Sequence, residues 1–309
     1  MDAKYYTSAL LGAALAAATA LTACGSGGNN SSTASSSSPA GAAASPQASS
    51  AKTVAVTQQD DSNWAGYVAA NSTTTTTRFS SVSGSWTQPS ADCGSGSPSY
   101  SAFWIGLGGY TGQHLEQIGT SADCSANGSA VYSAWYELVP AAQVAVSMTV
   151  KPGDHLSARV AVSGTTVSLS MSDLTRHATF SKQLQMSSPS LTSAEWIAEA
   201  PSQCASSAGA SSAEDCRILS LADFGSVSFT DASASAGGQS GSIASGLGTV
   251  AALTLEANPE YGRLYRTAAQ AEASPSPLSG NGSSFTVRWN RPAVQITVPP
   301  FSPAGPFYH

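Results

Sequence analysis

An antiparallel β-sandwich of two curved sheets is the fold class this sequence predicts, and three observations predict it. Beyond Ser62, apolar and polar residues alternate with a period of two in run after run. Short turn-forming clusters such as Pro152-Gly153-Asp154 and Ser163-Gly164-Thr165 separate consecutive runs at the intervals expected of hairpins. No long helical periodicity interrupts them, so the chain reads as all-β.

The elements follow in chain order. Residues 1–24 read as an export signal, with Lys4 ahead of an apolar stretch from Ala9 to Leu21 that is too short to span a bilayer. The stretch closes on Leu21-Thr22-Ala23-Cys24-Gly25, which is similar to the bacterial lipoprotein signal. That similarity implies a lipidated Cys24 and an exported chain held at the outer face of the membrane. An ordinary cleaved signal, which would discard Cys24 and secrete the chain, is the alternative. From Gly25 to Ser50 there is no charge and no aromatic residue, a composition that cannot bury enough apolar surface to order itself. Residues 25–61 are therefore expected to be a disordered tether, or a tether ending in a short pro-segment.

Residues 62–292 carry the domain. Strands are expected over Phe79 to Trp86, Tyr100 to Leu107, Val131 to Val139, Val144 to Val150, His155 to Val162, Val167 to Met171, Phe224 to Phe229, Val250 to Leu255 and Phe285 to Trp289. Residues 293–309 are expected to form an irregular tail.

Composition excludes several functions. Charged residues make up 10% of the chain, 12 Lys and Arg against 18 Asp and Glu, so no basic stripe exists to neutralise phosphates and nucleic acid is not an expected partner. The same scarcity means few ion pairs for protonation to break, which suits an acidic workplace. Five cysteines less Cys24 leave Cys93, Cys124, Cys204 and Cys216, an even set suited to an oxidising compartment. Three pairings are open, and Cys93 with Cys124 and Cys204 with Cys216 is the preferred one. There is no G-x-S-x-G elbow, no H-E-x-x-H and no Asp-Thr-Gly or Asp-Ser-Gly segment, and the histidines are His114, His155, His177 and the terminal His309. What remains for acid-base work is carboxylate and amide, with no metal and no cofactor required.

Four segments then stand out: Ser62-Asn63-Trp64-Ala65-Gly66-Tyr67; Phe103 to Gly109 running on to Leu115-Glu116-Gln117-Ile118-Gly119; Tyr132 to Pro140; and Ser193-Ala194-Glu195-Trp196-Ile197-Ala198-Glu199. In this order they resemble the glutamic peptidases, or eqolisins. The resemblance implies a lectin-like jelly roll of the concanavalin kind with a groove across one curved sheet. It also implies acid-pH hydrolysis of protein or peptide substrates by a dyad of Gln117 and Glu195. Trp104 and Trp135 would flank the substrate, and Glu137 would orient Gln117 from behind. Where the better-known members carry acidic residues, this chain has Gly108 and Ser121.

The residues alone leave alternatives. Thr192-Ser193-Ala194-Glu195 is also a capping box that would open a short helix ending before Pro201. As a strand, the same segment places Glu195 and Ile197 on one face and Trp196 on the other. A carbohydrate-binding or carbohydrate-cleaving sandwich is the competing function, since tryptophan-lined grooves also serve sugars. Glu195 and Glu199 cannot be its acid pair, because four residues along a strand span about 13 Å, beyond the roughly 5 to 9.5 Å such pairs use; Glu195 with Glu137 is the pairing that stays open. A monomer is expected, touching membrane only through a lipid anchor.

Overall fold

The computed structural model describes residues 54–71, 77–94, 97–204, 216–256 and 271–290, together with the backbone of a two-residue strand, β1 (Tyr5–Tyr6). The remaining strands are β2 (Val56–Asp61), β3 (Trp64–Ala70), β4 (Phe79–Thr87), β5 (Ala102–Gly108), β6 (Leu115–Cys124), β7 (Ala130–Val139), β8 (Val144–Val146), β9 (His155–Ser163), β10 (Thr166–Asp173), β11 (Ala178–Gln185) and β12 (Ser193–Glu199). They continue with β13 (Ser202–Cys204), β14 (Cys216–Ile218), β15 (Ser226–Ala236), β16 (Gln239–Ser242), β17 (Thr249–Glu256), β18 (Ala271–Pro275) and β19 (Phe285–Trp289). Among the described residues there is no α-helix, and no helix is long and apolar enough to cross a membrane.

Period-two patterning produces the first layer of the sandwich. In β9 the inward residues Leu156, Ala158, Val160 and Val162 are buried, while His155, Arg159 and Ser163 are exposed. Gly164, in the left-handed region at φ 61°, turns the chain into β10, which pairs back residue for residue. This layer runs β11-β10-β9-β4-β15, and the second runs β17-β3-β12-β5-β6-β7-β8. β19 and β18 carry the hydrogen-bonded ladder from one to the other, so the two layers are one antiparallel ladder folded back on itself.

Between the layers lies the main core. Phe79, Val82, Trp86, Leu156, Val160 and Leu169 from the first layer meet Phe103, Ile105, Leu107, Ile118 and Trp196 from the second. Each such side chain contributes roughly 1.5–3 kcal/mol by leaving water. Two indoles also tie the layers together with hydrogen bonds, Trp196 Nε1 donating to Ser83 O at 2.8 Å and Trp86 Nε1 to Thr120 Oγ1 at 3.0 Å.

The second layer is buried on both faces. Every residue of β3, β5 and β12 is buried. Its far face carries a separate cluster of Trp64, Val68, Trp104, Leu115, Trp135, Ile197 and Leu253, on which Tyr110 and Val139 pack.

Several expectations are corrected or completed here. The Glu195 segment is strand β12 and not a capped helix, because its backbone pairs with β3 and β5 on both sides. Residues 56–61, assigned above to the tether or pro-segment, form β2, which pairs in parallel with β17 from Val250 to Leu255. The expected strand from Val144 to Val150 stops at Val146. Cys93 and Cys124 form a disulfide. Cys216 is also disulfide-bonded, and its backbone partner across the β13–β14 hairpin is Cys204. Cys24, most of the tether and the tail from 293 lie outside the described residues.

Candidate active site

The far face of the second layer is organised in cross-strand rows. One row reads Glu137, Gln117, Gly106, Glu195 and Val68 across β7, β6, β5, β12 and β3. The next reads Trp135, Gly119, Trp104, Ile197 and Gly66 across the same strands. Residues in a row share a face, so β-pairing alone brings Gln117 and Glu195 to one surface, two strands apart at about 4.8 Å per strand.

Gly106 stands between them. It contributes no side chain, and a Cβ added there would lie 2.8 Å from Leu115 Cδ1, 3.0 Å from Trp104 Cζ3 and 3.2 Å from Gln117 Cβ. The missing Cβ therefore lets Leu115 and Trp104 pack against the row between the amide and the carboxylate. Gly119 does the same for the neighbouring row, since its missing Cβ would fall 2.5 Å from Trp104 Cβ.

Hydrogen bonds fix the groups along these rows. Gln117 Nε2 donates to Glu137 Oε2 at 2.7 Å, which sets the orientation of the amide. Trp135 Nε1 donates to Ser121 Oγ at 3.0 Å, so Ser121 has become the anchor of an indole. Tyr136 points the other way and stacks on Phe180. Trp104 packs edge-on against Trp64 at 4.9 Å and donates from Nε1 to Glu199 Oε2 at 2.6 Å. Glu199 also accepts from Asn63 Nδ2 at 3.0 Å. Above the face, Tyr110 from the β5–β6 connection donates its hydroxyl to Gln59 Oε1 of β2.

The site residues named from sequence thus converge: Gln117, Glu137, Glu195, Trp104 and Trp135 occupy two adjacent rows of one face. The paired disulfide cysteines Cys93 and Cys124 lie elsewhere, at the far end of β6.

Family comparison bears directly on this arrangement. The model of the Peptidase A4 family matches residues 62–274, which include every residue of both rows. The chain belongs to the Peptidase A4 family. Scytalido-glutamic peptidase, in a crystal structure with a peptide-based transition-state analogue, is 27% identical with a TM-score of 0.58, covering 74% of this chain and 98% of its own. SCP-B, a member of the eqolisin family solved with the tripeptide Ala-Ile-His, is 28% identical with a TM-score of 0.56 and the same coverage. No curated protein sequence matches the chain significantly. This protein is accordingly a glutamic endopeptidase, a hydrolase acting on protein or peptide substrates.

In this peptidase the carboxylates are deeply buried. Glu195, Glu199, Glu137 and Gln117 are each 0% exposed. Burial pushes Glu195 well above the ordinary carboxylate range; the Ser193 hydroxyl opposes this slightly and the charge of Glu116 adds to it. Neither Glu195 oxygen has a hydrogen-bond partner of good geometry within the protein. Glu199 is also held well above its usual range by burial, against which the Trp104 indole acts. Among the described residues no group of three or more His, Cys, Asp or Glu side chains is placed to hold a metal ion.

Three contributors escaped sequence reasoning. Glu199 fixes Trp104, and its signal was present: in a strand, i and i+4 share a face. Asn63 completes that carboxylate, with Asp61 accepting the Asn63 and Trp64 amides to shape the turn between β2 and β3. Gly106 had no local signal, because its significance lies in what stands on either side of it.

Proposed function

We propose that this peptidase cleaves peptide bonds in acid through Gln117 and Glu195, with water as the nucleophile. The observation that carries the reading is the row Glu137, Gln117, Gly106, Glu195, which sets an oriented amide and a buried carboxyl on one face with only a glycine between them.

Glu195 begins protonated, since burial favours its neutral form. One oxygen delivers its proton toward the scissile group while the other takes a proton from the attacking water, so the carboxyl ends the step as it began. An amide nitrogen has two N–H bonds. Glu137 accepts one, and the other is assigned to the oxygen on which charge develops. Collapse of the tetrahedral intermediate then moves a proton from Glu195 to the leaving amine, and no covalent intermediate is required. Trp104 and Trp135 flank the reacting bond in the adjacent row.

Hydrolysis of a denatured protein from pH 2 to 7 tests the reading. Glu195→Gln and Gln117→Ala should each lose on the order of 100- to 1000-fold in kcat while circular dichroism stays unchanged. A folded variant retaining most of the activity overturns the dyad.

We also assign the chain to the outer face of the membrane on a lipidated Cys24, a reading supported by the apolar stretch from Ala9 to Leu21 and the residues that close it. The mass of the N-terminal peptide from membrane-extracted protein should show a lipid-modified Cys24. An unmodified or absent cysteine there rejects the anchor.

A further inference from the structure

Glu116 is the residue the mechanism does not use and the structure does not leave idle. It precedes Gln117 in β6, so its side chain projects from the opposite face, toward the core between the layers. It is 0% exposed, which for a carboxylate demands a reason.

Its surroundings supply one. Its row neighbours are Leu107 on β5 and Leu138 on β7, and Leu107 stands beside Ala194 on β12. Oε1 accepts the backbone N–H of Ser190 at 3.0 Å, while Oε2 has no partner. Ser190 belongs to the segment that leads into β12, three residues before its first residue. That segment is seated closely: at Gly108, φ 83°, an added Cβ would come within 2.2 Å of Ser190 Cβ, and at Gly112 within 2.9 Å of Ser190 Oγ. Ser190 Oγ also lies 3.3 Å from Thr192 Oγ1, which accepts from Thr111 Oγ1 at 3.2 Å.

We propose that Glu116 is a positioning residue for the dyad: by holding the Ser190 amide it fastens the approach to β12, and so Glu195, to the strand that carries Gln117. The proposal rests on the dyad reading above.

The clamp works in its neutral form. With Oε2 unpartnered, a proton on the carboxyl leaves the Ser190 bond intact, whereas ionisation leaves a bare charge in an apolar setting. Among the described residues no salt bridge compensates it. Inward residues of β9 and β10 are apolar except Asp173, which lies at the Trp86 end of the layer and accepts the Thr175 and Arg176 amides. His114 stands two residues before Glu116, Glu137 occupies the opposite face, and Glu195 on β12 is the titrating group whose proton affinity Glu116 raises. Burial pushes Glu116 up to about 8, against the Ser190 N–H, so the clamp is neutral throughout the acid range.

Kinetics of Glu116→Leu and Glu116→Gln in the full chain, with Glu195→Gln alongside, test this. Glu116→Leu should lower kcat roughly tenfold or more with KM within about twofold, since it strands the Ser190 amide. Glu116→Gln keeps an oxygen acceptor and should stay within about twofold of the parent in acid. Its kcat/KM profile should part from the parent's above neutrality, where only the parent carries an ionising group behind Ser190. Full kcat in Glu116→Leu, or a Glu116→Gln profile that superimposes on the parent at every pH, overturns the proposal. If Glu116→Leu does not fold, the Glu116→Gln profile decides alone. Activity retained by Glu195→Gln would reject the dyad itself, which is a separate outcome.

Discussion

Glutamine is a neutral side chain whose use in catalysis depends on being aimed. Gln117 is aimed by Glu137, its direct cross-strand partner, through a 2.7 Å hydrogen bond. Glu137→Ala should therefore lower kcat by roughly 10- to 100-fold, less than deleting the donor outright. Glu137→Gln should recover most of the loss, because its amide oxygen accepts the same N–H. Equal activity in Glu137→Ala and the parent would show that the amide needs no guide. At this scale the residues alone were informative about type, and the partner Glu137 came only with the family resemblance. Gln117 was identified through its place in a family pattern, since a lone glutamine carries no periodic or charge signal. Gly108 was noted as a departure, and its physical basis is the close seat of Ser190, which lies 82 residues further along the chain and leaves no local trace.

Elements were legible where one face meets water. β9 and β10 alternate cleanly and were placed within a residue or two, as was β7. β12 was ambiguous for a physical reason: it is buried on both faces, so alternation of polarity disappears and a capping-box reading competes on equal terms. β11 was missed because it lies at an edge and is largely exposed, with polar residues on both sides. β2 was missed for another cause. Val56-Thr57-Gln58-Gln59-Asp60-Asp61 has the composition of a linker, and it becomes a strand because β17 offers it a parallel edge. Its Gln59 then reaches Tyr110, so the segment assigned to the tether helps cover the catalytic face.

For the molecule as a whole, the buried carboxylates predict acid tolerance on a ground that composition does not supply. The sequence argument was that few ion pairs exist for acid to break, and among the described residues the salt bridges are those of Arg176 with Asp154 and Asp173. The larger effect is that burial raises the proton affinity of several carboxylates. Burial raises Glu116 to about 8 and Asp123 to about 7, and holds Glu195, Glu199 and Asp61 above their ordinary values. For such groups the folded state binds more protons than the unfolded chain between the unfolded value near 4.5 and the folded value. Stability therefore falls as pH rises through that window. Asp154 opposes this: burial would raise it, but Arg176 and the Lys151 amide bring it below its ordinary value, so its contribution is lost as pH falls through the folded value. Urea unfolding measured from pH 4 to 9 should show greatest stability near the acid end and a loss of a few kcal/mol by about pH 8. A curve that rises toward neutrality would mean these carboxylates are ionised in the native protein.

Folding one ladder back on itself also changes how many open margins the sheet has. Two separate sheets would have four, whereas among the described residues the main path has two ends, β11 and β8, with β2 and β16 as branches on β17 and β15. β8 is three residues long, and β11 carries Lys182 among exposed polar side chains, both of which discourage a foreign strand from docking. A peptidase of this kind works among extended chains whose own backbones seek a partner. With the two ends of the path blunted, such a chain should find little to pair with there, which would keep unproductive adhesion of substrate to those strands low.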